Sequence, residues 1–203
     1  MVDAGNSPRH SGEYQQDLEV SGMPRPKYCV ITHWHWDHTF AMHALPSETI
    51  ASRETARQLQ RRAGWRWDAA SMESRLESGE EIPFAHEHIC AEYKNTEEIT
   101  VALPNRVMEN RELALNCGGI TCRCIQLPSV HSDDSVVACV PEEKVIFIGD
   151  IYGDDFYNNH YRDLEKTKQL QDALAALDFT VAVPGHSEPL EKHVLMAFLE
   201  KWL

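Results

Sequence analysis

The stretch VITHWHWDH, Val30 to His38, places three histidines and an aspartate within six residues, directly after an apolar run. KYCVIT (Lys27–Thr32) is short, β-rich and entered through Pro24 and Pro26, as expected of a buried strand. His33 and His35 are one residue apart at the end of that strand, so both imidazoles point the same way. Asp37 and His38 follow around a turn that opens a helical pattern. Neutral imidazole and carboxylate are preferred ligands of Zn²⁺ and related first-row ions. Two tryptophans within the run argue against a solvated polar tail. One segment can thus serve two adjacent metals, His33 and His35 for one and Asp37 and His38 for the other.

Further donors recur in the same kind of position. His131 follows a strand in PSVHSDDS, Asp150 ends VIFIGD, and His186 follows VAVP in PGHSEP. Each is a polar residue closing an apolar strand, the pattern expected when several strands deliver ligands to one sheet edge. ETIAS reads as a strand, RETARQLQRRAG as a helix closed by Gly64, and RDLEKTKQLQDALAAL and PLEKHVLMAFLEKWL as helices. DHTFAMHAL has helical spacing up to Pro46. Residues 99–130 read as a β-meander broken by Pro104, Asn110 and Gly118-Gly119. The alternation predicts a layered α/β arrangement. Residues 1–203 form one domain in this reading, with a charged, tryptophan-bearing and mostly helical insertion at about 65–95.

Composition narrows the function classes. The 203 residues carry 42% hydrophobic and 25% charged side chains, ordinary for a globular chain. A formal net charge of −13 repels phosphate backbones, so nucleic acid is not expected as a partner. No segment approaches the roughly 18 apolar residues that span a bilayer, and no signal peptide is visible. The six cysteines lack the density of a disulfide framework, so they are expected to be free thiols in a reducing cytoplasm. Cys122 and Cys124 fall on one face of a strand, where a metal clip is the competing reading. His86 and His88 form a second HxH without further ligands and read as surface residues.

Taken in order, VDAGNS, THWHWDH, VHSDDS, FIGD and VPGHSEP resemble the motifs of the metallo-β-lactamase-fold hydrolase superfamily, over essentially the whole chain. The resemblance implies a four-layer αββα sandwich with a metal site at one edge between two sheets. It implies that His33, His35 and His131 hold one metal, that Asp37, His38 and His186 hold the second, and that Asp150 bridges both. Asp3 would orient the ligand loop from behind. Asp150 stands where the best-known zinc β-lactamases carry cysteine, so the pattern is closer to the glyoxalase II, lactonase and phosphodiesterase branches. Asp3 also lies almost at the first residue, so the opening strands usual in the family are absent from this sequence. A homodimer covering that sheet edge, or a less stable fold, is the expected consequence.

The function so implied is a dinuclear hydrolase binding two zinc ions, with iron or manganese as alternatives. A hydroxide shared by the metals would attack an ester, thioester or lactone of a small molecule, with Asp37 handling the proton. The alternatives are a mononuclear iron oxygenase of the persulfide dioxygenase type and a phosphodiesterase of the same fold. Tyr152, Tyr157 and His160 follow Asp150 closely and are the candidates for substrate contact.

Overall fold

In the computed structural model, which describes residues 1–203, two sheets lie face to face with helices on both outer sides. The smaller sheet is parallel, in the order β1 (Tyr28–Val30), β2 (Glu48–Ala51), β3 (Arg106–Val107). Val2 extends it by one parallel bridge to Val30. The larger sheet runs in sequence order through β4 (Glu112–Asn116), β5 (Thr121–Gln126), β6 (Val136–Val140), β7 (Val145–Gly149), β8 (Val181–Pro184) and β9 (Leu190–Glu191). All its neighbours are antiparallel except β7 and β8, a parallel pair joined through a helix.

Strand alternation builds the layers. Val30, Ile50, Cys124, Val136 and Ala138 point between the sheets. Cys29, Ile31 and Ala51 point to the opposite side and pack with Leu59 of α3 (Arg53–Ala63). Val137, Cys139, Ile146 and Ile148 meet Leu170 and Leu174 of α6 (Leu164–Ala176) and Leu195 and Leu199 of α7 (Lys192–Glu200). Sheets that bury both faces in this way give the αββα sandwich that the motifs imply.

Helices α4 (Ala69–Ser78) and α5 (Pro83–Glu92) lie in the tryptophan-bearing stretch. They share a separate core in which Phe40, Trp67, Met72 and Ile89 are buried. This core ties the stretch to the segment just after the histidine motif. Three local readings change. Pro8–Val20 forms a helix, α1, that buries only Ser11 and Leu18, so no apolar stripe announces it. DHTFAMHAL is broken into α2 (Trp36–Thr39) and a 3₁₀ turn at Met42–Ala44. β3 is not part of a meander but pairs in parallel with β2 in the other sheet. No helix is long and apolar enough to cross a membrane, and all six cysteines are free, Cys124 and Cys122 packing between the sheets.

Candidate metal centre

Four segments meet at one edge of the sandwich. β1 runs into the His33–His38 loop, the His131 loop leads into β6, and β7 and β8 end immediately before Asp150 and just before His186. Backbone bonds hold this edge together: Val136 N donates to Thr32 O at 2.7 Å, and Gly185 N to Gly149 O at 3.0 Å. Two glycines are required by the approach. Gly149 has φ +51°, and a Cβ there would strike the Thr32 side chain. A Cβ on Gly185 would run into the Asp150 carboxylate.

The seven donors predicted from the sequence come together as two groups, His33, His35 and His131 in one and Asp37, His38, Asp150 and His186 in the other. Within each, the donor atoms lie within 4.8 Å of one another. In the first group His33 Nε2 and His131 Nε2 stand 3.0 and 2.9 Å from His35 Nδ1. In the second, His186 Nε2 is 3.1 Å from Asp37 Oδ2 and 3.3 Å from His38 Nε2. Asp150 Oδ2 faces both groups, 3.3 Å from His38 Nε2, 3.2 Å from His186 Nε2 and 3.7 Å from His131 Nε2.

In His33, His38 and His131 the opposite nitrogen has a partner, which sets the tautomer. His131 Nδ1 donates to Asp154 O at 2.7 Å. His38 Nδ1 donates to Asp3 Oδ2 at 2.8 Å, and His33 Nδ1 lies 3.0 Å from Thr32 Oγ1, whose own proton goes to Asp3 Oδ2 at 2.9 Å. Asp3 also accepts from Thr32 N at 2.7 Å, and it adopts φ +58°, a left-handed conformation that aspartate tolerates better than most residues. In the first group two lone pairs therefore converge on His35 Nδ1, which carries at most one proton. Two carboxylates crowd the second. A donor set of this kind fits divalent cations.

The electrostatics of the two groups differ. Burial, reinforced by neighbouring imidazoles, holds His33 and His35 well below the ordinary imidazole pKa. Burial also lowers His131, against the pull of Asp150. At His38 burial acts the same way, but Asp3, Asp150 and Asp37 together outweigh it and raise the pKa. His186 is raised by hydrogen bonds to Asp150 and Asp37. Burial opposes charge on Asp37 and Asp150, yet the bonds from His186 and His38 hold both below the usual carboxylate range.

A cleft of about 370 Å³ opens over the centre. Tyr157 lines it, as do Phe84, His88 and Phe156, which sequence patterning does not single out as cleft residues. Tyr152 turns away onto Phe198 and Trp202, with its hydroxyl 3.3 Å from Ser187 Oγ. His160 is exposed, against Phe156 and 3.6 Å from Asp154 Oδ2. Neither Tyr152 nor His160 is among the residues lining the cleft.

The family model of the metallo-β-lactamase superfamily matches residues 1–186. The chain belongs to the metallo-β-lactamase superfamily. Solved structures with the same fold include a metallo-β-lactamase from Pontibacter korlensis, at TM-score 0.62 and 20% identity over 98% of this chain and 80% of that one. A metallo-β-lactamase family protein from Thermus thermophilus matches at TM-score 0.62 and 20% identity, over 98% and 70%. The inverting sec-alkylsulfatase Pisa1 from Pseudomonas sp. matches at TM-score 0.64 and 16% identity, over 98% of this chain and 35% of its own length. No curated protein sequence matches. Members of this superfamily are mostly metal-dependent hydrolases.

Proposed function

We propose that the protein hydrolyses an ester, thioester or lactone bond of a small molecule, using two divalent ions held by the two ligand groups. Zinc is the first choice for the His and carboxylate donors, with iron or manganese as alternatives. The observation that carries this reading is the position of Asp150 Oδ2, within 3.2–3.7 Å of imidazoles from both groups. A paired ion site supplies Lewis acidity and lowers the pKa of water towards neutrality. The residues of the chain provide the rest. Asp3 and Thr32 fix the His38 and His33 rings from behind. Asp37 lines the cleft beside His186, and its carboxylate is the candidate to take the proton of the attacking water. The Tyr157 hydroxyl is tied to Glu81 at 2.7 Å, so that residue contributes its ring rather than a proton.

Free thiols support a reducing, cytoplasmic location. Metal analysis followed by a panel of lactones, thioesters, phosphodiesters and β-lactams tests the proposal. Two metal equivalents with turnover of a carboxylic ester or lactone are expected. One iron with oxygen uptake would overturn the proposal.

A further inference from the structure

The wall opposite the ligands comes from two segments that hold no ligand. Phe84 and His88 stand on α5, and Phe156 and Tyr157 lie in the loop after Asp150. The Phe84 and Phe156 rings stack with centroids 5.1 Å apart and planes at 10°. Phe156 also meets the His131 ring edge-on at 6.0 Å. Tyr157 offers a ring face 5.2 Å from the His35 ring, its hydroxyl being held by buried Glu81. Behind it, Trp34 packs 4.7 Å from Tyr157 and carries the Arg62 guanidinium 3.4 Å above its own ring. Phe84 remains 50% exposed on the rim. An apolar group entering the cleft would take that surface out of water.

Charge supplies an independent observation. The cleft and the adjoining groove of about 590 Å³ share Asp37 and His186, and neither is lined by a single lysine or arginine. Arg62 lies behind Trp34, where its Nη1 donates to the backbone oxygen and side chain of Gln58, and it does not line the cleft. His88 Nδ1 donates to Phe84 O at 2.8 Å, with its ring 4.2 Å from the Phe84 ring. A carboxylate or phosphate on the substrate, held at the aromatic wall and remote from the bond being cut, would face the Phe84 and Phe156 rings and no lysine or arginine. Burying an unpaired charge is costly, and a chain of net charge −13 repels it on approach.

Resting on the hydrolase reading, we infer that the substrate's acyl portion is uncharged and apolar, packed against the stacked Phe84 and Phe156 rings, and that substrates with a second anionic group are rejected. Water adds across the acyl C–O bond, leaving the acid and the alcohol. The pair p-nitrophenyl butyrate and p-nitrophenyl hemisuccinate differs at the acyl terminus, methyl against carboxylate. The metal-loaded protein should favour the butyrate in kcat/KM by about 10- to 100-fold, the scale of one charged group left without a partner. Phe84→Ala and Phe156→Ala should each raise KM for the butyrate about 10-fold and narrow its advantage over the acetate ester. Phe84→Arg should narrow the gap.

The unreactive pair butyranilide and N-phenylsuccinamic acid, followed by calorimetry, reads binding without turnover and should show the same order. Equal or better handling of the hemisuccinate, with turnover present, overturns this inference and leaves the hydrolase standing. Phe84-dependent binding of butyranilide with no ester, thioester or lactone turned over supports the preference and overturns the hydrolase. Absence of both overturns both.

Discussion

The two halves of the ligand cluster are built on different principles. His33, His35 and His131 are imidazoles only, each less than 10% exposed, and burial keeps them neutral. The second group mixes carboxylates with imidazoles and reaches solvent through His186, whose side chain is 60% exposed. There the carboxylates raise the pKa of His38 and His186 and so favour their protonated forms. On the proposed reading, the first half offers neutral imidazoles to an ion, whereas an ion entering the second displaces protons. Asp150 is the residue common to both.

Substitution of that shared residue should have the largest effect. Asp150→Ala is expected to lose the ion of the second group and to reduce turnover by more than the roughly 10- to 100-fold typical when an outer partner is removed. Wild-type turnover in this variant would break the distinction between the halves.

Asp3→Ala reaches only the second half directly, through His38 Nδ1, with a lesser route to His33 through Thr32. It should weaken binding of the second ion by about 10- to 100-fold while the first ion stays bound. Loss of both ions in parallel would show that the halves behave as one.

The smallest expected effect concerns the loop that carries His131. Asp134 is buried, accepts from Thr55 Oγ1 at 2.7 Å and from Ser132 Oγ, and so pins that loop to the start of α3. Burial pushes its pKa up to about 6, against the hydrogen bonds from Ser132 and Thr55. Because the folded value is raised, ionisation costs stability. The cost is absent below about pH 4, grows between the ordinary aspartate value and about pH 6, and is complete above that. Asp134→Asn should therefore gain stability relative to the parent as pH rises from 4 to 8, bounded at about 3 kcal/mol by that interval. Thermal melts at the two pH values check this, and a difference independent of pH would contradict it.

How far these features can be read from sequence depends on how local they are. His33, His35, Asp37 and His38 share one short segment, so their chemistry is visible without a fold. Asp150 and His186 become readable because each follows an apolar strand and the chain order of motifs resembles the family. The cleft wall is harder to read, since Phe84 and Phe156 are 72 residues apart and meet only after α5 folds over the centre. Closeness in sequence to Asp150 also misleads about space: Tyr152 follows it by two residues yet packs against the terminal helix. Helix α1 escapes because its stability comes from the Ser7 cap and Pro8 at its first turn rather than from an apolar stripe.

The central claim is two ions divided by Asp150, and it is tested most directly by counting bound metal on dialysed protein across a zinc titration. The account predicts two equivalents on the parent chain, falling to one in Asp150→Ala with the His33, His35 and His131 group still filled. A parent chain that saturates at one equivalent, or an Asp150→Ala variant that keeps two, would contradict it.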